Sequence, residues 1–527
     1  MSQMLKSSGA LASATLTSRI LGMVREIVYA RFMGDTAVAS AFKLAFQIPN
    51  LFRRLLGEGA LSAAFIPIFK TKERTGNEQE MWRAANAVIS GLTVVAAAII
   101  GLVMIGLSIA LAAHPFADNT RLMLSLLRVM FPYMLVICVT AVFMGMLNAR
   151  GHFFIPAAGA VVLNLVMIGS VLLLAPRLGK ELNEQIFGLA IGVLVAGVAQ
   201  AGFQLPTLAR EGFRYHWVAP WGDPTVREVV RKMIPGALGV AAFQINVLVT
   251  YGIAFWVDPQ IVASFDYAVR LMELPQGVFG ISLATYLLPT LSGLAAERNY
   301  PEFRSTLQQG LSYLIFVNLI ASVLLLVLAE PIIRLIFEHG KFDQGSTQRA
   351  SFGLACLAPG LVAFSMVNVL ARAFYALGDT QTPMQISVVC LGLNLVFALW
   401  LILPFRQGGL GIANTLTAAW NVGLLLYALR RKLARLDLAP LVRVLPAELG
   451  SATGAGAAAW AAKYYWERSL GHASLPARLG AVFVPMILAG LIYWGITFCL
   501  RVPAAKEIAA LVLRNLHAGR KGHDENN

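Results

Sequence analysis

The stretch Ala96–Ala113, AAAIIGLVMIGLSIALAA, contains eighteen consecutive residues without a charge. An apolar run of about 20 residues is long enough to cross a bilayer as a helix. Comparable runs occur at Phe187–Phe203 and Leu314–Ala329. Of the 527 residues, 58% are hydrophobic and only 13% are charged, whereas soluble proteins have about 25% charged residues. The sequence therefore predicts an all-α polytopic membrane protein, because barrel strands would show short alternating segments instead.

Apolar windows along the chain predict about 14 transmembrane helices. Their predicted starts lie near Gly9, Ala37, Asn86, Thr120, Ile155, Gln185, Met233, Ile261, Leu311, Arg349, Pro383, Gly409, Leu445 and Ser474. Basic residues collect in alternate loops, in the ranges 70–83, 210–232 and 430–443 and in the tail. By the positive-inside rule, both termini are predicted to be cytoplasmic, although the loop at 463–478 fits less well. The same rule explains much of the net charge of +15, so nucleic acid is not an expected partner.

Two pairs of segments indicate an internal duplication. VASAFKLAFQI (38–48) aligns with VASFDYAVRL (262–271), and LNARGHFFIP (147–156) aligns with FYALGDTQTP (374–383). The second pair is followed in each half by a helix with a polar residue, Asn164 or Asn394. Repeated six-helix halves are a common transporter plan. The predicted organisation is an N-terminal lobe (1–215), an amphipathic interfacial linker (216–232), a C-terminal lobe (233–436), two further helices (437–505) and a cytoplasmic tail (506–527). The two lobes are expected to be pseudo-symmetric.

Charged residues interrupt several predicted spans. PNLFRRLLGEGALSAAFIP (49–67) is the clearest case, and each charge at mid-membrane costs at least about 2.5–3.5 kcal/mol on insertion scales. Four arginines exceed their obvious acidic partners: Arg19, Arg25, Arg53 and Arg270. Because a guanidinium binds phosphate in a bidentate manner and keeps its charge, we expect these arginines to line a wet cavity that binds an anionic group.

Two other interpretations account for charges within a membrane span. Snorkelling or local ion pairing explains an individual residue, as in the pairs Arg54–Glu58 and Arg270–Glu273. A voltage sensor requires arginine at every third position of one helix, and that spacing is absent. The candidate hinges, which let a span bend and present its arginines to water, are Gly22, Pro49, Gly57 and Gly59.

Several motifs together resemble one known family. TSRILGMVREIVYARFMG, QIPNLFRRLLGEGALSAAFIPIF, RLMELPQGVFGISLATYLLPTLS, FEHGKFD and AFYALGDTQTPMQI closely resemble the MurJ (MviN) family over essentially the whole chain. This is the family of lipid II flippases in the multidrug/oligosaccharidyl-lipid/polysaccharide exporter superfamily. The resemblance implies an inner-membrane protein with fourteen helices, alternating access, and a groove for the polyprenyl tail that reaches the last two helices.

The resemblance also implies site residues. The family's cavity arginines correspond to Arg19, Arg25, Arg53 and Arg270, and supporting or gating positions correspond to Glu26, Asn50, Glu58 and Glu273. Ser40 and Val269 depart from the pattern, because relatives often have an acidic residue at these positions. Asp266, one helical turn from Arg270, is the candidate that compensates.

Some relatives bind sodium in the second lobe. The residues that could supply oxygens here are Asn394, Asn414, Thr417 and Asn421. No acidic ligand accompanies them, and membrane asparagines commonly hydrogen-bond across helices. No other metal site or cofactor is predicted, and coupling to a monovalent cation or to the membrane potential stays open.

Alternative functions make different demands on the sequence. Another exporter of this superfamily would carry a different polyprenyl-linked glycan, whereas a drug–cation antiporter would need acidic cavity residues. A membrane enzyme acting on polyprenyl phosphates would need metal-binding carboxylates or a nucleophile with its base, and no such cluster is evident. The expected function is therefore lipid II transport by a monomer and not catalysis. Membrane lipids and the cell-wall synthesis machinery are the further candidate partners.

Overall fold

The computed structural model describes residues 2–55, 61–75, 78–433 and 436–508, with side chains omitted at 2–12, 62–63 and 235–240. The described residues form α-helices with short π- and 3₁₀-helical segments and contain no strand. Two compact units can be distinguished. The first comprises residues 1–263 and 339–343, and the second comprises residues 264–338 and 344–527.

The first unit contains nine helices among the described residues. These are α1 (Ser2–Met33), α2 (Ala37–Phe52), α3 (Leu61–Thr75), α4 (Glu78–Ala113), α5 (Asp118–Met130), α6 (Tyr133–Ala149), α7 (Phe154–Gly169), α8 (Leu182–Arg210) and α9 (Pro224–Val257). A π-helical turn and a 3₁₀ turn continue α7 to Arg177. Aromatic side chains dominate one part of its core, where the Trp82 ring lies 5.6 Å from those of Phe69 and Phe213.

The second unit begins within the first turn of the next helix. Its elements are α10 (Gln260–Pro275), α11 (Ser282–Ala296), α12 (Tyr300–Val327), α13 (Ala329–Phe337), α14 (Gln344–Leu357), α15 (Gly360–Ala376), α16 (Gln381–Phe405), α17 (Gln407–Lys432), α18 (Ala439–Leu470) and α19 (Leu475–Cys499). Leucine side chains of α11, α12, α15 and α17 form one core cluster. A second cluster joins α18 and α19 to α12.

Residues 339–343 belong to the first unit although their chain neighbours belong to the second. The amide of Lys341 donates a hydrogen bond of 3.0 Å to the carbonyl of Arg31. Gly34 and Gly340 both have positive φ angles, 58° and 64°. A Cβ on Gly34 would lie 2.5 Å from the Lys341 carbonyl oxygen, so this close backbone approach requires glycine.

The all-α membrane fold predicted from the sequence is confirmed. Within the described residues, eight helices are long and apolar enough to cross a membrane, or up to ten if each bent pair counts as one span. All fourteen predicted starts lie in a helix or at its N-cap residue, and two of the candidate spans are bent helix pairs, α5/α6 and α14/α15. The number of fourteen spans stays a prediction, because polar residues in several helices keep them below the apolarity expected of a simple span.

The internal organisation of each unit repeats the same features. Helix α2 contains Pro49 and is followed by π-helical residues 53–55, and α10 ends at Pro275 before π-helical residues 276–281. The pair α5/α6 is bent by 42° and the pair α14/α15 by 49°. Each bent pair ends in a turn with a positive-φ glycine, Gly151 or Gly378. These matching breaks support the pseudo-symmetry that the sequence predicts.

The linker predicted over residues 216–232 is non-helical in its first part and helical from Pro224 onward, and its place at the membrane interface stays a prediction. Residues 213–220 are not helical. Helix α9 starts at Pro224, where the Asp223 carboxylate accepts hydrogen bonds from the amides of Thr225 and Val226, and it continues without a break to Val257. An aspartate cap followed by proline at the first helical position is a strong helix start, which explains why the basic segment is continuous with the span. Helix α9 groups with the first unit, and the limits of the duplicated lobes stay a prediction.

Candidate anion-binding site

Arg25 lies on α1 and is held by three neighbours. One Nη donates to the Asn164 Oδ1 at 3.1 Å and the other to the Glu26 Oε1 at 2.6 Å. The guanidinium carbon lies 5.5 Å from the centroid of the Tyr29 ring, within cation–π range. Only 18% of the Arg25 side chain is exposed. Because charge-assisted hydrogen bonds and the ring fix its plane, Arg25 presents a pre-oriented cation.

Glu26 is shared between cations from two helices. Its Oε2 lies 3.7 Å from the Nζ of Lys43 on α2, and the side chains of Glu26 and Lys43 are 6% and 9% exposed. The Glu26 carboxylate therefore faces two partly buried cations, Arg25 and Lys43. A surplus of positive charge at this point of the first unit stays a prediction.

Asn164 was not among the site residues predicted from the sequence, and the structure brings it to Arg25. It lies on α7, where its Nδ2 donates to the Ser18 carbonyl at 3.2 Å while its Oδ1 accepts from Arg25. Asn164 therefore ties α7 to α1 and orients the arginine. A single amide in an otherwise apolar helix was the signal in the sequence, but its partner could be known only from the structure.

The other arginines predicted in the first unit lie on the same two helical elements. Arg19 is exposed on α1, six residues before Arg25 and hence about 9 Å away along the axis. Arg53 lies in the π-helical turn after α2, where its Nε donates to the Oδ1 of Asn50 at 2.7 Å. Arg54 donates to the Gln244 Oε1 at 3.3 Å. Asn50 thus contacts Arg53, and its supporting role in the site stays a prediction.

The hinge candidates have different surroundings. Pro49 is buried within α2, just before the π-helical turn. Gly22 lies inside the continuous helix α1, and a Cβ there would meet only the Asn164 Nδ2, at 3.9 Å. Gly57, Glu58 and Gly59 lie outside the described residues. A hinge role for these positions stays a prediction.

Arg270 in the second unit has two acidic neighbours. Its Nη1 lies 3.1 Å from Glu273 Oε2, and its Nε lies 4.0 Å from Asp266 Oδ2. Its side chain is 34% exposed. The observed geometry of Arg270 is that of a local ion pair. Arg270 could bind an anion only if that anion displaced Glu273. Val269, partly buried, contributes no acid.

The departure at Ser40 has a structural explanation. Ser40 is fully buried on α2, and its hydroxyl accepts a hydrogen bond of 3.0 Å from the amide of Ala263. Ala263 lies in the first turn of α10, where backbone amides lack partners inside the helix. Ser40 thus caps α10 with a neutral side chain. Any coupling role for the acid that relatives have here does not transfer to this chain.

The sodium candidates form a hydrogen-bonded cluster between α16 and α17. The Nδ2 of Asn394 donates to the Asn414 Oδ1 at 2.8 Å and lies 3.4 Å from the Thr417 Oγ1. Asn421 lies one turn further along α17. An amide donor directed at both oxygens is the cross-helix bonding that asparagine commonly makes in membranes. A sodium ion would need this amide to turn away, and its binding stays a prediction.

A charged network that sequence reasoning missed lies outside the membrane spans of the first unit. Arg150, after α6, contacts the carboxylates of Glu73 and Glu211 at 2.7 Å each, and His152 lies 2.8 Å from Glu211. The hydrogen bonds from His152 and Arg150 lower the pKa of Glu211. The hydrogen bond from Lys70, together with that from Arg150, lowers the pKa of Glu73. The network joins the ends of α3, α6 and α8.

The second unit contains a related pair with the charges exchanged. Asp379 follows the glycine of its turn just as His152 does, and it lies 2.6 Å from Lys432 at the end of α17. The hydrogen bond from Lys432 is the main reason why the pKa of Asp379 falls to about 2. Each repeat thus connects the turn before its penultimate helix to the end of its last helix through an ion pair. Charge complementarity, and not residue identity, is common to both.

The comparisons with known proteins agree with this architecture. The family model described as lipid II flippase MurJ matches residues 29–480. The chain is 33% identical to the probable lipid II flippase MurJ of Vibrio cholerae, with 80% of this chain and 82% of that protein covered. It is 32% identical to the corresponding protein of Bdellovibrio bacteriovorus, with coverage of 94% and 95%.

Solved structures share the fold. A lipid II flippase MurJ in an inward closed conformation matches with a TM-score of 0.74 at 21% identity, covering 93% of this chain and 98% of that one. An inward-facing multidrug resistance transporter of the MATE family in the MOP superfamily matches with a TM-score of 0.62 at 15% identity, covering 81% and 98%. By the extent of the family match and the identity to these relatives, the chain belongs to the lipid II flippase MurJ family.

Proposed function

We propose that this protein is a lipid II flippase of the bacterial inner membrane. It moves the undecaprenyl-pyrophosphate-linked disaccharide-pentapeptide from the cytoplasmic to the periplasmic leaflet for cell-wall synthesis. Membership of the MurJ family supports this proposal. The observation that carries it is Arg25, whose guanidinium is oriented by Asn164, Glu26 and the Tyr29 ring. We further propose that the protein acts as a monomer with both termini in the cytoplasm.

The chemistry of the substrate explains the need for such cations. The barrier to spontaneous flipping is the transfer of a large, anionic head group out of water. Arginines in a hydrated site replace water around the pyrophosphate, while the polyprenyl tail stays in lipid. Arg25 would supply an oriented donor, Arg19 an exposed one, and Arg53 a donor held by Asn50. For Arg270 in the second unit, we propose a substrate-binding role in which a phosphate displaces Glu273.

Transport requires the affinity for the head group to fall when the site opens to the periplasm, and we propose that alternating access provides this change. The membrane potential could return the unloaded cationic site, because one charge crossing 100 mV gains about 2.3 kcal/mol. A monovalent cation is the other candidate for coupling.

The experiment that tests the proposal is complementation in cells depleted of their own flippase, with labelling of lipid II in the outer leaflet. Arg19→Gln, Arg25→Gln and Arg53→Gln should each fail to restore labelling, and Arg270→Gln should do the same if that side chain binds substrate. Arg177→Gln is the matched control, since Arg177 is exposed in the 3₁₀ turn after α7, and it should restore labelling.

The outcomes separate the site from the function. Full rescue by all four site variants would reject the assigned arginines. Failure of the wild-type chain to restore labelling, despite normal amounts in the membrane, would reject lipid II as the substrate and favour another polyprenyl-linked glycan.

A further inference from the structure

A carboxyl group is buried in the helical hairpin formed by α18 and α19. Glu448 on α18 is 3% exposed, and no hydrogen bond or ion pair joins it to any residue that the structure describes. It lies on the buried stripe of α18, which is formed by Glu448, Ser451, Ala452, Ala455, Gly456 and Ala459. Their spacing of three and four residues defines one helical face. Glu448 is therefore turned into the protein, and the proposed transport site does not use it.

The neighbouring elements offer Glu448 no cation. The stripe packs against α12 and α19 in a cluster that includes Phe316 and Tyr493. Helix α12 contains no acidic or basic side chain between residues 314 and 327. The hydroxyl of Tyr493 donates to the Phe316 carbonyl at 2.9 Å, and that of Ser451 donates to the carbonyl of Ala447 at 2.6 Å, so both donors are already engaged.

The remaining titratable groups on these elements lie toward the cluster's edge. Tyr313 on α12 hydrogen-bonds to Glu507, which follows α19, and Gln309 donates to the same carboxylate at 3.0 Å. Lys506 precedes Glu507 and is exposed. On α18 itself, Arg443 lies more than one turn before Glu448. Glu507 is thus held by Gln309 and Tyr313, and none of the described basic residues contacts Glu448.

A carboxylate in such surroundings is costly, because its charge is desolvated and no opposite charge compensates. The neutral carboxylic acid avoids this cost. We propose that Glu448 is a proton-binding site: its carboxylate takes up one proton from the aqueous phase at the start of α18 and stays neutral while the hairpin is packed against α12. Movement that admits water to this interface releases the proton. Proton occupancy and the packing of the hairpin are therefore linked.

Infrared spectroscopy of the full chain in vesicles of phosphatidylethanolamine and phosphatidylglycerol tests this directly. The wild type should show a carbonyl-stretch band of a protonated acid at neutral pH that shifts in deuterated water, and Glu448→Gln should remove it. Glu467→Gln is the matched control on the same helix, because Glu467 lies 3.2 Å from Arg334 as an ion pair. That variant should leave the band unchanged. A band that persists in Glu448→Gln would overturn the proposal.

A second measurement does not depend on resolving the band. Glu448→Gln replaces a neutral acid by a neutral amide of the same shape, so its melting temperature at neutral pH should equal that of the wild type. When the pH is raised, the wild type should lose stability as the buried acid ionises, and the variant should not. A lowered melting temperature of Glu448→Gln at neutral pH would contradict a neutral acid at this position and would refute the proposal. Neither measurement requires lipid II, so its result is independent of the proposed transport function.

Discussion

Asn164→Asp separates a substrate-binding role of Arg25 from a structural one. Asn164 accepts a hydrogen bond from Arg25 and donates one to the Ser18 carbonyl. Aspartate keeps the contact with Arg25 and strengthens it as an ion pair, but it loses the bond to Ser18, which is worth about 0.5–1.5 kcal/mol. If Arg25 only stabilises the fold, the variant should be well tolerated. If Arg25 binds a phosphate, the new carboxylate competes with the substrate.

The expected loss of affinity follows from the geometry. The new carboxylate oxygen would lie near the 3.1 Å that separates Oδ1 from the Arg25 Nη1. A phosphate on the outer edge of the same guanidinium would then lie about 7 Å from that carboxylate, and at an effective dielectric of about 20 the repulsion is roughly 2.4 kcal/mol. This energy corresponds to roughly 50-fold weaker binding. Because Arg25 is 18% exposed, water weakens the repulsion, and we expect a loss of at least about tenfold.

The assay combines lipid II binding to the purified protein with outer-leaflet labelling in depleted cells. Asn164→Asp should bind lipid II at least about tenfold more weakly and fail to restore labelling, with a melting temperature near that of the wild type. Compared with Asn164→Asp, Asn164→Ala should lose more thermal stability and less affinity for lipid II. Asn183→Asp adds the same charge at an exposed position near the start of α8 and should behave as the wild type. Unchanged affinity and full rescue by Asn164→Asp would refute the assignment of Arg25 as a phosphate ligand.

Three further predictions follow from the structure. Lys432→Met removes the hydrogen bond that is the main reason why the pKa of Asp379 falls to about 2. Because the ordinary pKa is about 3.9, this hydrogen bond stabilises the folded protein above about pH 4 and the stabilisation is lost toward pH 2. In denaturant titrations, wild type and variant should therefore differ in stability at neutral pH and converge in acid, and a pH-independent difference would contradict this reasoning. Gly34→Ala places a Cβ 2.5 Å from the Lys341 carbonyl oxygen at a φ of +58°. The substitution should lower the free energy of unfolding by at least about 1–2 kcal/mol and therefore lower the melting temperature. Gly202→Ala is the control because a Cβ there would meet no atom within 4 Å, and equal melting temperatures of the two variants would argue against the close approach. An imposed membrane potential should change the flipping rate in vesicles if cationic residues move through the field, and a rate that ignores the potential would exclude that coupling.

Several features of the site could be read from the sequence and others could not. The cost of charge in a membrane distinguishes Arg25 and Arg53 in the sequence alone. Asn50 lies 3 positions from Arg53 in the chain, so helical spacing indicates that contact. Asn164 lies 139 positions from Arg25, and spacing cannot indicate a contact at that separation. The sequence also suggested that Arg270 carries uncompensated charge, whereas the structure places both Glu273 and Asp266 beside it.

The membrane class follows from the sequence alone, because apolar length is a local property of the chain. The duplicated order of segments was detectable for the same reason. Tertiary structure decided which polar groups meet. The Ser40 hydroxyl meets the first turn of α10, Arg150 pairs with Glu211 whereas Asp379 pairs with Lys432, and Glu448 lies on the helix face that packs into an apolar cluster. Such pairings depend on helices brought together by packing, and the energy of a buried charge depends on what those helices place beside it.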